Sequence, residues 1–227
     1  TDNIEHAELL LNKAKKLKKI IQVGHIERFN PAYSVLKNSD IQPRFIEAHR
    51  LAEFNPRGND VPVILDLMIH DLDIILSMIQ SDIIDIRANG VKVVSPTVDI
   101  ANARIEFKTG CVANLTASRI SQKNMRKMRL FQEKDYITID FQKGILEEYK
   151  VSNKPPIPGK SDQVVEIDCE EKKYILYRKP IVTKQNALKE ELIHFVDSIQ
   201  KEKQPVTDGV SATQALSLAL EIQKIID

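Results

Sequence analysis

The sequence has almost no net charge, because 33 Lys and Arg residues nearly balance 32 Asp and Glu residues. The formal net charge of +1 gives no electrostatic reason to expect nucleic acid or an anionic membrane as a partner. The one basic cluster, KAKKLKK at 13–19, falls at the end of a helical pattern, where cations complement the helix dipole. Long apolar runs and a signal peptide are also missing. We therefore predict no nucleic-acid partner and no membrane partner.

Cysteine and glycine are scarce as well. Cys111 and Cys169 stand alone, without the CxxC spacing of a zinc or redox site. They predict a reduced, cytoplasmic protein with no disulfide framework and no metal site. The seven glycines include neither a GxGxxG nor a GxxxxGKS spacing. The sequence thus contains no recognisable loop for nucleotide phosphates.

The chain of 227 residues has ample material for a core. Apolar residues at helical spacing predict helices at 3–18, from Asn30 and Pro31 onward, at 60–80, at 186–201 and at 209–226. Short apolar runs predict strands at 20–25 and 44–54. Between 83 and about 169, alternating patterns predict further strands at 83–94, 99–107, 111–120, 125–132, 135–141 and 145–151. Turn signals between them indicate an antiparallel meander, followed by a loop at 152–162.

The stretch LDLMIHDLD at 65–73 places charged residues in an otherwise apolar helix. Asp66, His70 and Asp73 are spaced four and three apart, so a regular helix puts them near one face. A histidine beside a carboxylate is suited to accept a proton near neutral pH. The alternative is that Asp66 only favours the helix start and His70 is a hydrogen-bonded core residue. A metal site at these residues has no supporting signature.

Four segments, in this order, resemble one known family: IIQVGHIERFNPAY, LDLMIHDLDIIL, TGCVANLTASR and DGVSATQALSLALEIQ. Together they are similar to the glucose–fructose oxidoreductase/inositol dehydrogenase/MocA (Gfo/Idh/MocA) family along essentially the whole chain. The combination of D-x-x-x-H-D-x-D with an upstream R-F-N-P-A carries most of the resemblance.

The resemblance implies a fold and a division into domains. It implies an α+β class with an open, mostly antiparallel (mixed) β-sheet covered on one face by helices. Residues 1–23 then resemble the last helix and strand of an N-terminal Rossmann domain, and residues 24–227 a C-terminal substrate-binding and oligomerisation domain. The family's E-K-P motif, whose lysine assists catalysis, belongs before the first helix. We therefore expect the C-terminal portion of a longer enzyme, inactive by itself.

The resemblance also implies an activity. Family members bind NAD or NADP and move a hydride between a hydroxyl-bearing carbon and the nicotinamide. His70 matches the catalytic histidine and Asp66 the acid one helical turn before it. Gly24 and His25 mark the crossover between domains and are the weak candidates for cofactor contact. Because the phosphate loop is missing, we expect no cofactor bound to this portion alone.

Candidate substrate-binding residues are Arg28, His49, Arg50 and Asp73. Arg28 either clamps an anionic substrate group or only forms a cap and an ion pair. Arg50 and Arg57 add positive charge, which favours a negatively charged or highly hydroxylated ligand. We expect a carbohydrate-like small molecule: a sugar, a polyol or a nucleotide sugar whose diphosphate suits a guanidinium. Asp73 alternatively has a structural role.

Two non-catalytic interpretations stay open. The same fold is suited to a dimerisation or scaffold module, or to a sugar-binding module without a cofactor. Under every interpretation, the faces and edges of an open sheet must be covered or paired. We therefore predict a homodimer or homotetramer formed through the sheet face, within 98–150.

Overall fold

A computed structural model describes residues 1–37, 41–56, 60–168 and 171–227. A nine-stranded sheet carries helices on one face, which confirms the predicted fold class. Five α-helices lie within the described ranges: α1 (Ile4–Lys16), α2 (Pro31–Leu36), α3 (Ile69–Met78), α4 (Ala187–Gln200) and α5 (Gly209–Ile226). The strands are β1 (Phe45–Leu51), β2 (Ile83–Val91), β3 (Ile100–Phe107), β4 (Val112–Ser118), β5 (Met125–Gln132), β6 (Asp135–Asp140), β7 (Ile145–Ser152), β8 (Gln163–Ile167) and β9 (Lys173–Arg178). Cys169 lies outside the described residues.

The strand order is β2-β3-β4-β1-β5-β6-β7-β9-β8. β1 lies parallel to β4 and antiparallel to β5, so it joins two meanders at the centre of the sheet. The other neighbouring strands run antiparallel, as the turn signals predict. The insertion of β1 was not predicted, because sequence patterns reveal strands but not which distant strand they pair with.

Local sequence patterns failed to predict two of the strands, and they predicted one strand that is not part of the sheet. β8 and β9 form an antiparallel pair at one edge of the sheet, and every residue of β8 is exposed, which hides the usual alternation. The predicted strand at 20–25 is wrong in extent. Gln22 makes only an isolated antiparallel bridge to Asp208, and the Val23 amide donates to the carbonyl of Thr207. This segment therefore runs past the start of α5 instead of entering the sheet.

The helix predicted at 60–80 has an irregular first half. Ile64–Met68 is π-helical and continues directly into α3. A π-helical turn holds more residues than an α-helical turn, which rotates the residues before it relative to those after it. Asp66 lies in this wide turn, whereas His70 and Asp73 lie in the regular helix.

The hydrophobic core lies between the helices and one face of the sheet. Buried and partly exposed residues alternate along β1. Its inward residues Ile46 and Ala48 belong to the same buried cluster as Met68 of the π-helical turn and Leu72 of α3. α5 completes the layer and also packs on α1. Across the described ranges, no helix combines the length and apolar character of a membrane span.

Candidate active site

His70 lies in the first turn of α3, directly after the π-helical turn. Its Nδ1 atom is buried and has no hydrogen-bond partner in the protein. The ring packs edge to face on the ring of His25, with centroids 5.8 Å apart and planes at 83°. His25 is 5% exposed, and its Nδ1 is likewise buried without a partner. The fold therefore brings together two histidines that are 45 positions apart in the sequence.

Both imidazoles are held in the neutral form. Burial is the main cause that lowers the pKa of His70, to about 4; the positive charge of Arg50 and the neighbouring His25 act in the same direction, and Glu27 and Asp73 oppose them. Burial also lowers the pKa of His25, although Asp73 acts in the opposite direction. A neutral imidazole has a free lone pair, so it is able to accept a proton.

Arg50 lies on the inward side of β1 and is 3% exposed. Its guanidinium donates to both carboxylate oxygens of Asp71, at 3.0 and 2.8 Å, and to Glu27 Oε1 at 3.0 Å. Buried charges are stable only when they are paired in this way. The geometry favours a structural role for Arg50 over substrate contact, because the guanidinium is buried and donates three hydrogen bonds inside the protein. Arg50 instead joins β1, α3 and the 3₁₀ turn Ile26–Phe29.

Arg28 and Asp73 form a second buried pair. Arg28 donates through Nε to Oδ2 at 2.7 Å and through Nη2 to Oδ1 at 3.2 Å, a bidentate geometry. Their side chains are 9% and 2% exposed. Both residues also line a cavity of about 780 Å³ between α3 and α5. The geometry favours the pairing alternative for Arg28 and the structural role for Asp73 over direct substrate contact.

Asp66 occupies a different environment from the two buried pairs. Half of its side chain is exposed, and its Oδ2 lies 3.7 Å from Nη2 of Arg119. Arg119 also donates to the carbonyl of Val61, which anchors the start of the helix. The π-helical turn thus separates Asp66 from Asp73, which is buried, although their spacing predicted one common face.

His49 points to the other side of the sheet. It alternates with Arg50 along β1, so its side chain lies on the face opposite the helices, in register with Thr116 and Lys127. The prediction that His49 binds substrate beside His70 does not agree with this placement. A one-residue step along a strand reverses the face, which a looser sequence match does not resolve.

Gly24 and His25 lie in the extended segment before the 3₁₀ turn. Gly24 is exposed, and a Cβ added there would come no closer than 4.0 Å to Glu191 Oε1. Arg57, the remaining basic candidate, lies outside the described residues.

Sequence reasoning missed three charged residues that pair with site candidates: Glu27 and Asp71 with Arg50, and Arg119 with Asp66. Glu27 also accepts from Asn30, whose amide donates to the carbonyl of Phe141. The sequence contained part of the information needed to find them, because a charged residue inside an apolar run requires a buried partner. The identity of that partner depends on how β1 lies beside the helix.

The described residues offer different support for a metal ion and for a cofactor. Among the residues that the structure describes, no group of three or more His, Cys, Asp or Glu side chains is arranged to hold a metal ion. For a nicotinamide cofactor, the polar groups that this chain offers at the candidate site are the paired imidazoles of His25 and His70. The sequence offers no glycine-rich loop for the diphosphate of such a cofactor.

The chain is similar to a known family in sequence and in fold. Residues 15–147 match the model of the GFO/IDH/MocA C-terminal domain. The chain is 34% identical over 230 residues to UDP-N-acetylglucosamine 3-dehydrogenase of Acidithiobacillus ferrooxidans, covering 100% of this chain and 69% of that protein. A solved structure of that enzyme superposes with a TM-score of 0.87 at 32% identity, covering 100% of this chain and 68% of the other.

A more distant solved structure shows the fold alone. It is a NAD-binding protein from Listeria innocua, with a TM-score of 0.75 at 17% identity, covering 100% of this chain and 70% of the other. The family match, the similarity to a dehydrogenase and the shared fold confirm the resemblance of the sequence motifs. The chain belongs to the Gfo/Idh/MocA family of oxidoreductases and contains the family's C-terminal domain.

Proposed function

We propose that this protein is a NAD- or NADP-dependent dehydrogenase that oxidises a hydroxyl group of a nucleotide sugar. The observation that carries the proposal is His70, a neutral imidazole on a rigid helix, surrounded by buried ion pairs. The dehydrogenase from Acidithiobacillus ferrooxidans, at 34% identity, makes UDP-N-acetylglucosamine the first substrate to test.

His70 is the general base in this proposal. The substrate hydroxyl transfers its proton to His70 Nε2, since Nδ1 is the buried nitrogen. The hydrogen on the same carbon leaves with its electron pair as a hydride, and the carbon–oxygen bond becomes a carbonyl. The nicotinamide, when bound, supplies the acceptor for that hydride. The low pKa of His70 keeps the ring unprotonated throughout the neutral pH range, so its lone pair is free when the substrate binds.

The surrounding residues position the base. Arg50 with Asp71, and Arg28 with Asp73, fix α3 against β1 and the 3₁₀ turn. Such support holds a catalytic group within a fraction of an ångström of its working geometry. We retain Asp66 as the second acid of the site, because half of its side chain stays exposed and Arg119 holds it in place.

We also propose that residues 1–23 complete a nucleotide-binding domain and that the chain without such a domain has no turnover. Three observations support this: the absence of a phosphate loop, the exposed apolar residues of α1 and the 69% coverage of the relative. Leu9, Leu10 and Leu17 are 66%, 51% and 54% exposed, as expected for a helix that packs on further protein.

The experiment measures UDP-N-acetylglucosamine oxidation by the protein joined to the nucleotide-binding segment of its own reading frame. NAD and NADP are compared by the absorbance of the reduced cofactor. We expect turnover that His70→Ala lowers by about a hundredfold or more, in line with the usual contribution of a general base. Isothermal titration of NADH and NADPH, with and without the added segment, tests cofactor binding separately. Turnover that is unchanged by His70→Ala contradicts the proposal.

One observation favours an additional, non-catalytic role. The sheet face opposite the helices carries a row of five aromatic rings: Phe45, Phe131, Tyr136, Tyr149 and Tyr177. Neighbouring ring centroids are 4.7–5.7 Å apart across five adjacent strands. Aromatic residues are enriched at protein interfaces. We infer that this face pairs with a second copy of the chain, in a homodimer or homotetramer.

A further inference from the structure

Unpartnered buried polar atoms cluster beside the active site. Among the described residues, they include His70 Nδ1, His25 Nδ1, Gln22 Oε1, Glu191 Oε1 and Thr207 Oγ1. Four of the five residues lie where segment 22–25 passes the start of α5 and the inner face of α4. A buried polar atom without a partner costs about 1–3 kcal/mol, so such atoms commonly hold ordered water. These atoms form a series of unsatisfied polar groups that runs from His70 through His25 to α4.

Two carboxylates that act on the pKa of His70 are engaged by guanidinium groups. Asp73 and Glu27 act on its charge, but Asp73 uses both oxygens on Arg28. Glu27 accepts from Arg50 through Oε1 and from Asn30 through Oε2. Carboxylates engaged by guanidinium groups are poor proton acceptors, because the positive charge favours the ionised form.

Glu191 is different. It is 6% exposed, and its Oε1 has no partner. The Gln22 side chain donates to the Glu191 backbone carbonyl at 3.1 Å, which holds this turn of α4 against segment 22–25. Gly24 is the neighbour of His25, and a Cβ built on Gly24 would lie 4.0 Å from Glu191 Oε1. Burial raises the pKa of Glu191, which brings it closer to the value needed to exchange protons near neutral pH.

We propose that His25 and Glu191 form a proton relay that carries the proton taken up by His70 to the solvent at α4. This inference rests on the proposed function, since each oxidised hydroxyl leaves one proton on His70. The proton passes from His70 to His25 and then to Glu191, through water where the groups are not in contact. Glu191 releases it to bulk water, each group returns to its starting form, and no electrons move. Neither relay residue touches substrate; both act through His70.

The charged groups that face the relay come from several elements. Asp73 and Arg28 act on His25, while Arg50, Glu27 and Asp73 act on His70. These four residues form two buried ion pairs, Arg28 with Asp73 and Arg50 with Glu27, whereas the relay residues have buried atoms without a partner. This separates the mobile proton from the ion pairs that position α3.

The kinetic test compares Glu191→Gln with Glu190→Gln in the protein that carries its nucleotide-binding segment. Glu190 neighbours Glu191 on the same helix and serves as the matched control. We expect Glu191→Gln to lower kcat about tenfold, leave KM unchanged and enlarge the D₂O isotope effect on kcat. Glu191→Asp keeps a carboxyl group and should recover part of the loss. Equal kcat in the two glutamine variants, or a loss without any change in isotope effect, overturns the relay.

A second measurement is independent of turnover. Nitrogen-15 NMR of the histidine side chains follows the tautomers and titration of His25 and His70 in the same protein without substrate. Glu191→Gln should change the tautomer balance or pKa of His25, whereas Glu190→Gln should not. Unchanged His25 signals overturn the relay even where turnover is absent. If turnover is absent but Glu191→Gln changes the His25 signals as expected, the proposed substrate is contradicted. The connection between Glu191 and His25 is then still supported.

Discussion

At the scale of single residues, the site is built from charges that pair inside the protein. Arg50 with Asp71, and Arg28 with Asp73, satisfy their donors and acceptors before any ligand arrives. Burying such charges requires complete pairing, because an unpaired charge in the interior costs several kcal/mol. These residues therefore hold the geometry around His70, and the neutral imidazoles are left to do proton chemistry.

Arg50→Ala should destabilise the protein strongly. The change leaves Asp71 and Glu27 buried without their guanidinium, at a cost of about 3–5 kcal/mol in the free energy of unfolding. Arg87→Ala is the matched control, because Arg87 pairs with Asp85 on the surface and its side chain is 76% exposed. The control should lose at most about 1 kcal/mol. Urea denaturation of both variants checks the difference, and equal losses would contradict the structural role of Arg50.

Acid should destabilise the folded state through His70. Its pKa is about 4 when folded and 6.5 when unfolded, so the unfolded state binds more protons between these values. The contribution is fully present above the unfolded pKa and is lost as the pH falls towards the folded pKa, by roughly 3 kcal/mol at most. His70→Gln removes this group. Denaturation at about pH 7 and about pH 5 should show a smaller loss in the variant than in the wild type. An equal loss in both would rule out this coupling.

At the scale of elements, close packing between α5 and β2 fixes the helical layer over the edge of the sheet. Gly90 in β2 makes this approach possible. A Cβ at Gly90 would lie 2.7 Å from Ile226 Cγ2 and 2.7 Å from Val98 Cγ1. Contacts this short require one of the neighbouring elements to move.

Gly90→Ala should therefore lower the free energy of unfolding by about 1–3 kcal/mol, the usual cost of overpacking. Gly24→Ala is the comparison, since its nearest neighbour would be 4.0 Å away. Thermal unfolding followed by circular dichroism gives both values. If the two alanine variants unfolded at the same temperature, α5 would not be packed as closely on β2 as described.

At the scale of the whole molecule, the sheet has two faces with different roles. Helices and the hydrophobic core cover one face, and the aromatic row lies on the other. Rows of cross-strand aromatic pairs stabilise a sheet, and they also form a flat surface suited to a partner. The position of His49 on this face places it beside the proposed interface instead of the active site.

Tyr136→Lys should break the self-association that we propose. Tyr136 is central to the row, with ring centroids 4.7 Å from Phe131 and 5.2 Å from Tyr149. A buried ammonium at the interface would be unpaired and costly. Ile181→Lys, at a residue that is 91% exposed, is the control. Light scattering coupled to size-exclusion chromatography should give a lower mass for Tyr136→Lys alone. The same mass for both variants would place the interface elsewhere.

The sequence by itself determined the local features. Helical spacing located α1, α4 and α5 closely, and turn signals separated the strands from β2 to β7. The motifs established the family and singled out His70. These properties depend on neighbouring residues or on a short spacing, so a single sequence contains them.

Only the tertiary structure decided which strands lie side by side and which distant residues contact each other. The insertion of β1 between β4 and β5 brings Arg50 to Asp71 and sends His49 to the opposite face. The π-helical turn moves Asp66 away from Asp73, and the path of segment 22–25 places His25 against His70. Each outcome depends on contacts between distant segments, in which a step of one residue reverses a strand face or rotates a helix. Burial in that arrangement, and not residue type, sets the charge state of both histidines.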